Sequence, residues 1–210
     1  MGSEVTYKDH GIDREVYILY LSDNNYAVYL GVSITSLFEN NKSILALTVY
    51  IIDDNIASEN KDLLNSIAVK YRRDIVFMDI SAGREKLKKL GAPLYRNTYT
   101  TYLKLFAFAL LPDTVHRILF IDTDTVVVGD ISKIDNVDMD GNPVSAVMDN
   151  LCAPDKKCLG YSEDEPWFNM GVMLVDVDLW KKMDCEQMII KTMKKRCAYV
   201  AVDQNILNIS

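Results

Sequence analysis

Arg117-Ile118-Leu119-Phe120-Ile121 is a short run dominated by apolar residues, and at its downstream end stand Asp122 and Asp124 with Thr123 between them. On a strand, side chains alternate between faces, so the spacing predicts that both carboxylates project to one side and Thr123 to the other. Two hard oxygen donors on one face suit Mg²⁺ or Mn²⁺. A divalent ion held by only two carboxylates keeps open positions that substrate phosphates fill. The pattern therefore points to phosphate-ester chemistry.

Two other accounts fit the same residues. The acids can be solvated groups where a buried strand emerges into water. An apolar strand followed by Asp-x-Asp-x-Thr is also how haloacid-dehalogenase-like phosphatases present a nucleophilic and an acid/base aspartate. The elements around the motif have to separate these possibilities.

Upstream, Val16 to Leu21 reads as a buried strand closing at Ser22-Asp23-Asn24-Asn25. A helix should follow, capped by Asn25, with Tyr26, Tyr29, Leu30, Ile34, Leu37 and Phe38 on its apolar face. Leu45 to Ile52 reads as a second strand, running into Asp53 and Asp54. Ser58 is placed to cap a helix carrying Leu63, Leu64, Ile67 and Val69, and Ile75 to Ile80 makes a third strand. Strand and helix alternating at such spacing predicts parallel crossovers in an α/β sheet, whose ligands sit beyond the carboxyl ends of the strands. The clusters Asp23 to Asn25, Asp53-Asp54 and Asp122 to Asp124 all fall there. A helix from about Thr100 to Leu111, stopped by Pro112, turns Leu103, Phe106, Ala107 and Leu110 to the core and carries one cation, Lys104. Val144 to Met148 forms a strand ending at Asp149, and a loop with Pro154 and Pro166 runs on to Phe168.

A chain of 210 residues, 49% hydrophobic, fits one domain that buries roughly 70% of its unfolded surface. Its net charge of -7 argues against a nucleic-acid footprint, which needs a basic patch. The basic stretches Arg84 to Lys89 and Lys191 to Arg196 are interrupted at helical spacing and read as solvated helix faces. Cys152, Cys158, Cys185 and Cys197 lack the paired spacing of a zinc site, so free thiols in a reducing cytoplasm are expected. No stretch approaches the ~18 apolar residues of a spanning helix, and Met1 to Glu15 has no apolar signal core. Residues 1–14 read as an extension that contributes nothing to the core and need not be ordered, with the domain proper over 15–210.

The segment Phe168-Asn169-Met170-Gly171-Val172-Met173-Leu174, followed by Trp180, resembles the Phe-Asn-x-Gly-Val-x-Leu...Trp block of glycosyltransferase family 8, the LgtC- and glycogenin-like retaining enzymes. The order of landmarks is similar too: Asp23-Asn24-Asn25-Tyr26, Thr101-Tyr102-Leu103-Lys104, Asp122-Thr123-Asp124, Asp149, Asn169, then Asp203-Gln204-Asn205. A dehalogenase-like phosphatase would carry its aspartates on the first strand, and here about three strands precede them.

The resemblance implies a Rossmann-like, GT-A type nucleotide-sugar-binding domain with a mostly parallel mixed sheet flanked by helices. It implies UDP-glucose or UDP-galactose as donor, Mn²⁺ or Mg²⁺ on the diphosphate through Asp122 and Asp124, and a glycan or other hydroxyl acceptor, with α-retention. Asp23, Asn25, Tyr26, Lys104, Thr123 and the backbone of Met170 are then the donor-binding positions, Tyr26 stacking on uracil. Asp149, Asn169, Asp203 and Gln204 are then the catalytic positions around the transferred hexose, with Gln204 the family's candidate on the face of C1 opposite the leaving group. Lys104 stands where the family usually has arginine, which keeps the charge and loses the bidentate fork.

The family continues to a metal-binding histidine and a Gly...Lys-Pro-Trp segment, whereas this sequence stops at Ser210. The expectation is a C-terminally incomplete domain, its full-length form peripheral to a membrane or free in the cytoplasm. His116, six residues before Asp122, is too far along an extended strand to complete the shell, and His10 lies in the N-terminal extension. A binding module with impaired catalysis is the alternative to an active transferase.

Overall fold

The computed structural model describes residues 15–151, 153–195 and 202–210. The expectations for the 1–14 extension, His10, Cys152, Arg196 and Cys197 lie outside the described residues.

Strands and helices alternate at first as predicted: β1 (Val16–Asp23), α1 (Ala27–Asn40), β2 (Leu47–Asp54), α2 (Ser58–Tyr71), β3 (Asp74–Asp79) and α3 (Ser81–Leu90). Then come α4 (Thr100–Ala107), extended by a 3-10 turn over Phe108–Leu110, β4 (Arg117–Ile121), α5 (Ser132–Asp135), β5 (Val144–Met148) and α6 (Ala153–Leu159). The described chain closes with β6 (Phe168–Asp176), α7 (Val177–Lys182), α8 (Cys185–Lys194) and α9 (Val202–Asn208).

The strands form one six-stranded sheet in the order β3-β2-β1-β4-β6-β5. β3, β2, β1 and β4 are mutually parallel, and β6 runs antiparallel to both β4 and β5. This is the expected mostly parallel mixed sheet. The chain winds outward from β1 through β2 to β3, then returns to place β4 on the other flank of β1. The carboxyl ends of β1 and β4 therefore border the point where strand order reverses, where open α/β sheets leave a crevice.

Both faces of the central strands are covered, which is why β1 and β2 read as nearly continuous apolar runs. Ile18 and Tyr20 pack with Ile34, Phe38, Val49 and Ile51 on one face. Leu19, Ile52 and Phe120 pack with Tyr102, Phe106, Trp180 and Ile189 on the other. Gly91, at φ 66, ends α3 in the left-handed region where glycine costs least.

Several local expectations are corrected. Asn25 does not cap α1; the Asp23 carboxylate accepts the amides of Asn25 (2.9 Å) and Tyr26 (3.0 Å) instead. Ser58 lies inside α2, and Asn24 Oδ1 takes the Ala57 amide that precedes it, at 2.9 Å. Tyr26 and Tyr29 are exposed, as are Leu63, Val69 and Leu110. Periodicity tells which residues share a helix face; how wide a stripe the sheet covers depends on tertiary docking. Leu45 is exposed and precedes β2. The stretch expected as a loop before Phe168 contains α6. Cys158 and Cys185 are free thiols.

Candidate functional site

Asp122 and Asp124 lie just beyond the end of β4, at the strand end where the sequence placed them, with Thr123 and Asp124 in a turn. The Asp122 amide still donates to Gly171 O on β6 (2.7 Å), and Thr125 Oγ1 closes the turn on Asp122 O at 2.8 Å. Thr123 is buried and its hydroxyl donates to Leu21 O at the end of β1. That tether joins the two central strands where they emerge.

The motif lines a cavity of about 410 Å³ whose other walls come from the end of β1 and the start of α4. Asp23, Asn25, Tyr26, Lys104, Asp122, Thr123 and Asp124 all line it, so seven of the sequence-predicted residues meet in one space. The β1 wall is rigid: Asp23 holds the turn amides, and Asn24 Oδ1 also accepts from Asn60 Nδ2 at 2.8 Å. Tyr26 is 41% exposed, and its ring centroid lies 5.6 Å from that of Tyr29, which leaves surface for a planar ligand.

Lys104 anchors the floor. It is 5% exposed, its Nζ lies 2.8 Å from Asp203 Oδ2 and 3.5 Å from Asp122 Oδ1, and it sits over the Phe120 ring at 4.9 Å. Burial alone would push this ammonium down, but the Asp203 and Asp122 carboxylates outweigh it and hold it above the usual lysine range. The Asp122 carboxyl is raised, first by burial and further by the charges of Asp203 and Asp124, with Lys104 pulling the other way. A cation between Asp122 and Asp124 would relieve that repulsion, and their donor set is all hard oxygen, so the pair fits Mg²⁺ or Mn²⁺.

Beside the cavity stands a second polar group. Gln204 Nε2 donates to Asp149 Oδ2 at 2.7 Å, and its Oε1 lies 3.5 Å from Asn169 Nδ2 and 3.4 Å from the Met170 amide. The Leu151 amide and then Gln204 hold the Asp149 carboxyl below the usual range. Asn169 Oδ1 accepts from Gly171 N at 2.7 Å. A Cβ on Gly171 would meet Asn169 Oδ1 at 2.9 Å and Asp122 Oδ2 at 3.0 Å, so this glycine lets the two groups abut. The Met170 side chain is buried, leaving only its backbone toward the group. His116 contacts Asp178 (2.9 Å) and takes no part.

Sequence reasoning missed Tyr95, Arg96, Thr98 and Thr100 on the cavity wall, and it gave Asp54, at a strand end, no role of its own. Asp54 is buried and receives the Thr100 hydroxyl and the Arg84 guanidinium, bracing the start of α4. The signal for Asp54 was its place at the end of a buried strand. Residues 92–99 offered only Pro93 and the turn-former Asn97.

The glycosyl transferase family 8 profile matches residues 17–210, nearly all of the described chain. The chain belongs to glycosyl transferase family 8. Among curated relatives, it is 31% identical over 196 residues to lipopolysaccharide 1,2-glucosyltransferase of Escherichia coli K12, covering 91% of this chain and 57% of the relative. General stress protein A of Bacillus subtilis is 27% identical over 179 residues, covering 85% and 62%. The chain thus spans about six tenths of the length of these curated relatives. The fold is also that of an active-site mutant of LgtC (TM-score 0.75, 23% identity, 92% of this chain and 69% of that one). It is shared with the bifunctional glycosyltransferase WbbM (TM-score 0.76, 20% identity, 97% and 38%). Family 8 membership disfavours the phosphatase account. Among the described residues, no helix is long and apolar enough to cross a membrane.

Proposed function

We propose that this chain carries the donor site of a retaining hexosyltransferase that moves glucose or galactose from a UDP-sugar to a hydroxyl of a glycan acceptor. The observation that carries this reading is the meeting of Asp122 and Asp124 with the Asp23-to-Tyr26 turn around one cavity, at the reversal of strand order. Relatives include lipopolysaccharide 1,2-glucosyltransferase and, in Salmonella typhimurium, lipopolysaccharide 1,3-galactosyltransferase, which supports a hexose donor without choosing between the two.

In this reading uracil stacks on Tyr26, with Asp23 and Asn25 near the base and ribose. Asp122 and Asp124 hold Mn²⁺ or Mg²⁺, which when bound neutralises charge on the UDP diphosphate as it leaves. Thr123 fixes the turn that carries both acids. Asp149, Asn169, Asp203, Gln204 and the Met170 amide surround the hexose. The C1–O bond breaks with its electron pair going to the β-phosphate oxygen. The acceptor oxygen bonds to C1 from the same face, and its proton passes to that phosphate oxygen. Gln204 positions the hexose rather than attacking it: an amide is a poor nucleophile, and both its ends already face Asp149 and Asn169.

Calorimetric titration of UDP with and without Mn²⁺, followed by a UDP-glucose and UDP-galactose hydrolysis assay, tests the proposal. Metal-dependent UDP binding with sugar release supports it, and binding without turnover favours the impaired module. Release of phosphate from simple esters with no affinity for UDP would return the phosphatase account.

A further inference from the structure

We propose that Arg96 is the diphosphate-binding cation of this chain, taking over the charge role that the ion-paired Lys104 cannot fill. The inference rests on the donor reading above and adds a residue to it. The cavity wall carries Asp23, Asp122 and Asp124; a divalent ion on Asp122 and Asp124 would offset those two acids, and the several negative charges of a diphosphate then call for a further cation on the wall. Of the two cations on that wall, Lys104 is buried between Asp203 and Asp122, so its charge is spent on protein carboxylates. Among the described residues lining the cavity, Arg96 is then the cation left over. It is exposed, its guanidinium rests 5.3 Å from the centroid of the Tyr95 ring, and among the described residues no carboxylate is ion-paired with it.

The backbone presents this side chain at some cost. Tyr95 and Thr98 exchange both of their backbone hydrogen bonds, at 2.9 and 3.0 Å, closing a two-residue turn whose central residues are Arg96 at φ 49 and Asn97 at φ 65. Such a turn favours asparagine and glycine, and asparagine fills the second position. Arginine contributes nothing to the turn and is strained there. Residues held in a sparsely populated backbone region and facing a cavity are where function concentrates. A guanidinium can fork across two phosphate oxygens, which supplies the bidentate contact that a lysine at 104 lacks.

The test compares Arg96→Gly and Arg96→Lys with the unaltered chain, titrating UDP and uridine at fixed Mn²⁺ and two salt concentrations. Glycine relieves the backbone strain, so the turn survives and loss of charge is isolated. The expected result is UDP affinity about tenfold or more weaker in Arg96→Gly, as for losing a charged hydrogen bond. Uridine affinity should be unchanged, the salt dependence of UDP binding shallower, and Arg96→Lys intermediate. Equal UDP affinity in Arg96→Gly and the unaltered chain overturns the role of Arg96 alone, and equal losses for UDP and uridine do the same. An unaltered chain that binds no UDP overturns the donor reading together with this inference.

Discussion

At the residue scale, the site depends on acids held at different depths. Asp124 is exposed and Asp122 half-buried, so neither is needed to fill the core. Asp122→Asn and Asp124→Asn should each abolish metal-dependent UDP binding in calorimetry while leaving the thermal midpoint within a few degrees; a collapsed midpoint would make the acids structural. Lys104 is the opposite case. Breaking a buried ion pair by removing one partner costs about 3–5 kcal/mol, because the remaining charge is left uncompensated. Lys104→Met should therefore destabilise by about 3 kcal/mol in urea unfolding, and adding Asp203→Asn should recover much of that loss. Additive losses in the double variant would mean that the two side chains do not act as a pair.

At the element scale, α9 reaches the site only because it is fastened to β6. Asn208 accepts from the Phe168 amide at 2.9 Å and donates to the Phe168 carbonyl at 3.0 Å, and buried Asn205 accepts from Trp167 Nε1 at 3.1 Å. These contacts set where Asp203 and Gln204 lie. Asn208→Ala removes the partners of both backbone groups of Phe168 and should cost about 2 kcal/mol, read as a lower urea midpoint, with weaker UDP-sugar turnover. An unchanged midpoint would show that packing alone docks α9. The Asp149–Gln204 contact joins α9 to the end of β5, and it has a pH signature. A carboxyl held below its unfolded value contributes stability that is present above about pH 3.9 and lost as pH falls through the folded value. Asp149→Asn should therefore narrow the stability gap between pH 7 and pH 3. An unchanged gap would count against the depressed carboxyl.

At the scale of the whole molecule, the sheet brings together only the two carboxylates proposed to hold a metal. Among the described residues, no group of three or more His, Cys, Asp or Glu is placed to hold a metal ion. Two carboxylates and phosphate oxygens are all hard donors, which discriminate little between Mg²⁺ and Mn²⁺. UDP affinity of the 210-residue chain should therefore differ by less than about tenfold, or 1.4 kcal/mol, between the two ions. A stronger preference for Mn²⁺ in parallel titrations would reveal a nitrogen donor.

The sequence alone determined the alternation of strands and helices, because apolar periods and turn residues are local properties. It also placed Asp23, Asp54 and Asp122 at strand ends, since a buried strand must finish where polar groups appear. It named Asn169, Asp203 and Gln204 through the resemblance to the family, though not the contacts they make. Only the tertiary structure decided that β4 returns beside β1, which brings residues 23–26 and 122–124 to one cavity across about a hundred residues of chain. It alone buried Lys104 between two acids and left Tyr26, Leu63 and Val69 in solvent. The width of a covered helix face and the partners of a buried charge are set by which elements dock together, and no local window of sequence contains that information.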